Sequence, residues 1–269
     1  MANMHLSNLS KKRLNKKVTP YAHILLMNCI AIPLILLWTA VGMALFPFAF
    51  LFMKFILGDS TTYLTRQCIW IYARVCQFLL SPFVVFTPPQ LHGGRLKTPG
   101  IFVVNHRSFF DTYCINMVRV SDICCAVRAW PFNIPFYNIF MKLAGYLDIE
   151  SFPWDKTLEI SKKNIKNNSS ILFFPEGHRS KDKNLLHFYS GAFKLAIENN
   201  VPVIPVCLTG TQILLPPNRY FLAPARIKMK ILDPVFPDQF QGEMKHIALK
   251  NHVKNLMKQS IKQMDEETI

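Results

Sequence analysis

Apolar residues fall in one long block and then in short bursts. Residues 24–53 carry no charged side chain, and a helix that crosses a bilayer needs ~20 apolar residues. Pro33, Gly42 and Pro47 lie inside the block, where they kink or break a straight helix. Length therefore allows a single crossing, while the interruptions allow a bent two-helix hairpin with both ends on one membrane face. A buried helix of a soluble protein fits less well, because so uniform a stretch is hard to cover in a short chain. A cleaved signal peptide fits poorly, since the apolar run continues through Ile56 and Leu57. Residues 60–80 have the spacing of an amphipathic helix and lead to a short strand at 83–86. Pro88, Pro89, Gly93 and Gly94 then mark turns.

Beyond this point the pattern changes. Short apolar runs at 101–104, 123–127, 171–174, 203–208 and 227–231 alternate with helical stretches. Such alternation predicts an α/β fold with a mostly buried mixed sheet flanked by helices. Residues 201–206 form a strand with two prolines, which must sit at a sheet edge or begin pairing late. The stretch 243–264 reads as a helix, with Leu249, Val253, Leu256, Met257 and Met264 on one face and Lys250, Lys254 and Lys258 on a solvated one. The expected organisation is a basic tail over 1–20, a membrane-associated helical segment over 21–80, and an α/β domain with a C-terminal helix over 81–269.

Composition sharpens the membrane reading. Of 269 residues 51% are hydrophobic and only 17% charged, and 31 basic against 16 acidic side chains leave a formal net charge of +15. That excess suits an anionic lipid surface or nucleic acid, and the greasiness favours lipid. Lys11, Lys12, Arg13, Lys16 and Lys17 stand just before the apolar block, where each basic residue near an anionic surface contributes roughly 1 kcal/mol. Basic residues also follow it (Lys54, Arg66 and Arg74), so charge bias gives no orientation. Seven cysteines, an odd number without Cys-x-x-Cys spacing, point to reduced, buried thiols in a cytosol-facing protein.

Two strand ends carry candidate chemistry. The run 101–104 is followed by Asn105-His106-Arg107-Ser108-Phe109-Phe110-Asp111. Ser108 and Asp111 match a capping box, which explains Asp111 alone. It does not explain His106 at a strand end, where α/β folds expose functional groups. A histidine with a carboxylate close by is the arrangement a general base needs, because the carboxylate fixes the tautomer and stabilises the imidazolium. The second run leads into Phe174-Pro175-Glu176-Gly177-His178-Arg179-Ser180. Gly177 permits a positive-φ turn, and Arg179 offers a fork suited to phosphate. A turn held by a local Glu176–Arg179 contact is the plainer reading.

Taken in order, these stretches resemble the glycerophospholipid acyltransferases, most closely the bacterial 1-acyl-glycerol-3-phosphate acyltransferases. Asn105-His106 and Asp111 match that family's first motif. Residues 174–180 match its Phe-Pro-Glu-Gly-Thr-Arg-Ser motif, with His178 for Thr, and residues 201–206 match its Val-Pro-Ile-Pro-Val-like strand. The resemblance covers roughly residues 85–235. The second family motif departs. Ile134-Pro135-Phe136 and Gly145 fit and Arg128 falls near the family's Lys, but the closing Arg falls on Ser151, preceded by Glu150.

The resemblance implies transfer of a fatty acyl group from acyl-CoA or acyl carrier protein to the free hydroxyl of lysophosphatidate, making phosphatidate. His106 and Asp111 would be catalytic. Glu176 and Gly177 would shape the acceptor pocket, Arg179 would hold its phosphate, Arg128 with Lys142 or Lys156 would add positive charge, and Ser108 would line the site. No metal and no cofactor beyond the thioester co-substrate is implied. Membrane lipid is the expected partner and nucleic acid is not; the oligomeric state is left open. The expected location is the inner membrane, with the catalytic domain facing the cytoplasm. Another lysophospholipid as acceptor, or a thioesterase using the same pair on water, are the alternatives.

Overall fold

A computed structural model describes residues 2–91, 99–181 and 184–267, with the backbone alone for 2–20 and Leu57. The expected turn glycines Gly93 and Gly94, and the side chains of the basic cluster at 11–17, lie outside the described residues. Helix α1 (Ala2–Leu57) is followed by α2 (Thr61–Leu80), β1 (Val84–Phe86), β2 (Gln90–Leu91), β3 (Ile101–Val104) and α3 (Asp111–Cys114). Then come β4 (Ile123–Val127), α4 (Tyr137–Leu143), β5 (Leu147–Asp148), α5 (Trp154–Lys166), β6 (Ser170–Phe173) and α6 (Gly191–Glu198). The chain ends with β7 (Val203–Thr209), α7 (Thr211–Leu214), β8 (Ala225–Ile231) and α8 (Lys245–Glu266).

The apolar block does not break at Pro33, Gly42 or Pro47; α1 is one helix. Each proline removes one backbone bond, but unwinding so apolar a stretch would strip partners from several more N–H and C=O groups. A helical hairpin does form, with its turn further on. Gly58, at φ 65, receives the helix end, its N–H reaching the Lys54 carbonyl at 3.2 Å. Ser60 then caps α2 through the Tyr63 amide. The Trp38 and Tyr72 rings stack across the pair, and Thr39 and Tyr72 share a hydroxyl contact of 2.7 Å. Arg66, buried, ties α2 to the α/β unit, donating to the Ala144 carbonyl, Asp122 and Asn164 at 2.8–2.9 Å.

Among the described residues the sheet has eight strands, in the order β1-β8-β7-β3-β6-β4-β5, with β2 also paired to β8. Strands β7, β3, β6, β4 and β5 are mutually parallel, and β8 runs antiparallel to β7. Side chains alternate between two cores, as a doubly covered sheet requires. Ile101, Val103, Ile171 and Val203 meet α6 and α8 on one face. Phe102, Val104, Leu172 and Ile204 meet Met27 and Ala31 of α1 and Leu80 of α2 on the other.

The proline-bearing strand is not at an edge. β7 lies between β3 and β8. Pro205 is tolerated because its missing N–H falls on the β8 side, short of where regular pairing with β8 begins at Val206. Its carbonyl on that side still accepts from the Leu232 amide at 2.9 Å.

Candidate active site

The five parallel strands end on one edge of the sheet, the edge where α/β folds bind ligands. The ends of β3 and β6 are neighbours there. The β3 end is anchored by Asn105, buried, whose amide exchanges two hydrogen bonds with the Leu208 backbone at 2.7 and 2.9 Å. His106 follows. Its Nδ1 lies 2.8 Å from Asp111 Oδ2, and its side chain is 18% exposed against 1% for Asp111. With Nδ1–H donating to the carboxylate, Nε2 is left as the proton acceptor. No described residue hydrogen-bonds Nε2. The imidazole stacks on Phe174, the residue after β6, with ring centroids 4.3 Å apart.

Asp111 does both tasks that its position suggests. The same Oδ2 accepts from the Arg107 and Ser108 amides at 2.6 and 2.7 Å, so the carboxylate closes the turn that opens α3 and orients the imidazole. Ser108 is not exposed to a pocket. It is buried, its hydroxyl donates to the Leu215 carbonyl at 2.7 Å, and it accepts from the Phe110 amide. Both of its hydrogen bonds thus go to backbone.

Glu176 braces the loop from the β6 side. The carboxylate is 2% exposed, and its two oxygens accept from the His106 and Leu186 amides, each at 2.8 Å. Burial pushes its pKa up, and those two backbone hydrogen bonds hold it back in part. Glu176 therefore fixes the loop backbone on both sides, and it makes no hydrogen bond or ion pair with Arg179. The Ser180 amide donates back to the His106 carbonyl at 2.8 Å. Gly177, at φ 68, is required twice: an added Cβ would lie 2.8 Å from the Tyr189 ring, and the backbone is left-handed. Arg179 is exposed, and no described residue pairs with it.

A second corner stands at the ends of β4 and β5. Arg128 donates through Nε to Glu150 at 2.6 Å, and its Nη1 lies 3.0 Å from His178 Nδ1. The Ala129 amide also donates to Glu150 at 2.8 Å. That amide and the guanidinium hold Glu150 below the usual carboxylate range. The guanidinium expected to add positive charge is thus partly engaged by a carboxylate of this chain. His178, which sequence reasoning set aside, is brought against Arg128 across 50 positions. Lys142 is exposed at the end of α4, and the Lys156 amine sits 3.9 Å over the Phe152 ring.

Sequence reasoning also missed Asn105 as an anchor and the ion pair of Arg107 with Asp265 of α8, at 3.0 Å. No local signal marks either pairing. All seven cysteines are free thiols. Burial pushes Cys207 up to about 12 and Cys114 well above the ordinary thiol range, which removes both as thiolate nucleophiles.

The family model described as Acyltransferase matches residues 88–209, which hold both strand ends. A 1-acyl-sn-glycerol-3-phosphate acyltransferase of Escherichia coli (strain K12) is 31% identical over 174 residues, 62% of this chain and 69% of that protein. The chain belongs to this acyltransferase family. A protein of the same name from Cocos nucifera is 27% identical over 65% of this chain. Matched stretches span 61% of that protein and 35% of a chloroplastic relative from Brassica napus. The family fold is also that of a solved structure, the 1-acyl-sn-glycerophosphate (LPA) acyltransferase PlsC from Thermotoga maritima. The TM-score is 0.67 at 23% identity, covering 89% of this chain and 96% of that one.

Proposed function

We propose that the chain is a membrane-surface O-acyltransferase. It moves a fatty acyl group from acyl-CoA or acyl carrier protein to the hydroxyl of lysophosphatidate and so makes phosphatidate. The observation that carries this reading is the 2.8 Å contact of His106 Nδ1 with Asp111 Oδ2 at the strand-end edge. It leaves Nε2 to act on an alcohol. An alcohol is a weak nucleophile at neutral pH and needs its proton taken as it attacks. His106 takes that proton while the oxygen bonds to the thioester carbonyl carbon. The tetrahedral intermediate collapses, the carbon–sulfur bond breaks, and the thiolate leaves and is protonated. Asp111 stabilises the imidazolium in between. The transfer is direct, without an acyl-enzyme, in keeping with the burial of Cys114 and Cys207, whereas Cys29 is exposed and Cys68 and Cys125 are part-buried.

Arg179, exposed three residues beyond the buried turn glutamate, and Arg128 supply charge for the acceptor phosphate. The apolar length of α1 supports bilayer docking. The helix stretch Tyr21–Ile56 holds 36 residues, and in its most apolar 18 residues only 11% are buried. At ~1.5 Å per residue it is ~54 Å long, against ~30 Å of hydrocarbon. Its early part packs on the sheet at Met27 and Ala31, and its later part packs on α4 through Phe46 and Phe140. A helix fastened at both places lies along the domain, which suits docking on one membrane surface. We assign that surface to the cytoplasmic face of the inner membrane.

The test uses purified protein, a labelled thioester and lysophosphatidate, with free fatty acid and diacyl product measured together. Diacyl product that disappears in His106→Ala is the expected result. Free fatty acid as the main product would make the protein a thioesterase, and undiminished transfer by His106→Ala would refute the mechanism.

A further inference from the structure

Beyond Arg128 the chain carries an apolar surface to which the mechanism proposed above gives no role. Residues 129–144 contain no acidic side chain and one basic one, Lys142. Large apolar groups in this segment stand open: Phe136 is 67% exposed, Trp130 56% and Ile139 51%. Phe136 leads into α4 with φ 63 and ψ −42, a backbone region that a bulky residue occupies only under constraint. The constraint here presents an aromatic ring outward.

Phe136, Ile139 and Phe140 form one wall of a cleft of about 440 Å³, and Met43, Phe46 and Phe50 of α1 form the facing wall. The Phe46 and Phe140 rings meet edge to face with centroids 4.8 Å apart. Every residue lining the cleft is apolar. The open face of α4 therefore meets α1 at this cleft, and Phe48, Phe52 and Phe55 are exposed on another face of α1. Contiguous apolar surface of this kind on a soluble protein marks an interaction site.

We infer that the α4 face and its cleft with α1 are a second bilayer contact, occupied by the hydrocarbon chains of membrane lipid. The inference rests on the docking of α1 proposed above. Lipid is favoured over a protein partner by the chemistry of the rim. Lys142 closes α4 and Arg128, part-exposed though paired with Glu150, precedes a segment with no acid of its own, which is the pattern of an interfacial helix meeting anionic headgroups. The contact places the ends of β4 and β5, and with them the Arg128 corner, at headgroup depth. A lysolipid then presents its phosphate to the strand-end edge while its chain stays in the membrane.

The test is the depth of Phe136 in the full chain. In a background where Trp38, Trp70 and Trp130 are phenylalanine, Trp154 is the remaining fluorophore. It lies on the far side of the sheet, at the start of α5, with Lys194 over its ring. Phe136→Trp adds a second. The protein is bound to phosphatidylcholine–phosphatidylglycerol vesicles with brominated acyl chains, and flotation is scored in parallel. Flotation with Trp154 unquenched, and with the added fluorophore losing most of its emission, is expected. Flotation with neither quenched overturns the inference and leaves α1 docking intact. Failure to float overturns both. Cross-linking of this face to a second copy, with the added fluorophore unquenched, assigns the cleft to an oligomer and also overturns it. Should the multiple variant fold poorly, Ile139→Asp in the otherwise unaltered chain provides a separate reading. The Michaelis constant for vesicle-borne lysophosphatidate rises more than that for a soluble short-chain analogue. Equal changes, or none, count against the contact.

Discussion

Two corners of one sheet edge are built on opposite principles. At the ends of β3 and β6, His106, Asp111 and Glu176 are linked almost wholly through backbone amides, and both carboxylates are buried. At the ends of β4 and β5, Arg128, Glu150 and His178 are linked side chain to side chain and half in water, with Arg128 39% and Glu150 40% exposed. Buried groups fixed by backbone cannot re-aim without breaking the loop, which is what positioning a proton acceptor demands. Exposed groups on long side chains can adjust, and solvent screens them. The difference suits the proposed chemistry at the first corner and adaptable charge at the second.

The largest effect separating the corners is expected from Asp111→Asn. The amide oxygen can keep bonds to the Arg107 and Ser108 amides, so the turn survives. The charge that holds Nδ1–H and stabilises the imidazolium is gone. Turnover should fall by about 10²–10⁴-fold, the range of general-base contributions, with little change in the acceptor Michaelis constant or in Tm. A comparable loss from Arg128→Ala would erase the contrast.

Glu176→Gln tests the brace. Both carboxylate oxygens accept from N–H groups, so an amide must aim its NH₂ at one of them and leave that donor unpaired. A cost of about 1–3 kcal/mol in unfolding free energy follows, with slower turnover because the His106 backbone loosens. The pH dependence has a definite sign. Burial raises the folded-state pKa of this acid, so the folded form binds more protons than the unfolded chain between the two values. Its contribution is fully present below the unfolded pKa and is lost as pH rises through the folded one. Urea melts of the wild type should lose stability with rising pH just above the ordinary glutamate range, and Glu176→Gln should lack that slope.

What the chain disclosed beforehand follows the same division between local and distant. Strands β3 and β4 are legible to the residue, because a sheet covered on both faces demands unbroken apolar runs, and His106 with Asp111 fall within one short loop. Of the two places that Pro205 allows, a sheet edge or late pairing, the second holds; a missing N–H is visible in sequence but its direction is not, and only the neighbour order shows that it points to the β8 side, just before regular pairing begins. Pro33 and Pro47 mislead for a related reason, since the cost of a lost bond depends on what solvent could replace it. Asn105 with the Leu208 backbone, Arg107 with Asp265, and Arg128 with His178 are 103, 158 and 50 positions apart. Polar pairs at such separations leave no periodic trace. Ser108 shows the converse: its place in the loop is legible, but burial, which sequence does not show, turns its hydroxyl to backbone partners.

Arg128→Ala should raise the acceptor Michaelis constant about tenfold through loss of a charge-assisted bond to phosphate, with turnover and Tm near wild type. A matching rise for a neutral lysolipid acceptor would show that the guanidinium serves the fold instead of the phosphate.

Glu150→Gln carries the smallest expected change and the finest distinction. The amide oxygen can still accept from Ala129 or Arg128, while one negative charge leaves the corner. If the corner works as a field, the Michaelis constant for lysophosphatidate falls, by roughly twofold, as for other exposed pairs. That gain should vanish at high salt, because exposed charges are screened over about 10 Å at 0.1 M. If Glu150 instead aims Arg128 as rigidly as Glu176 holds His106, the constant rises and salt leaves the rise unchanged. Titrating salt in this one variant therefore decides whether the edge has one built corner or two.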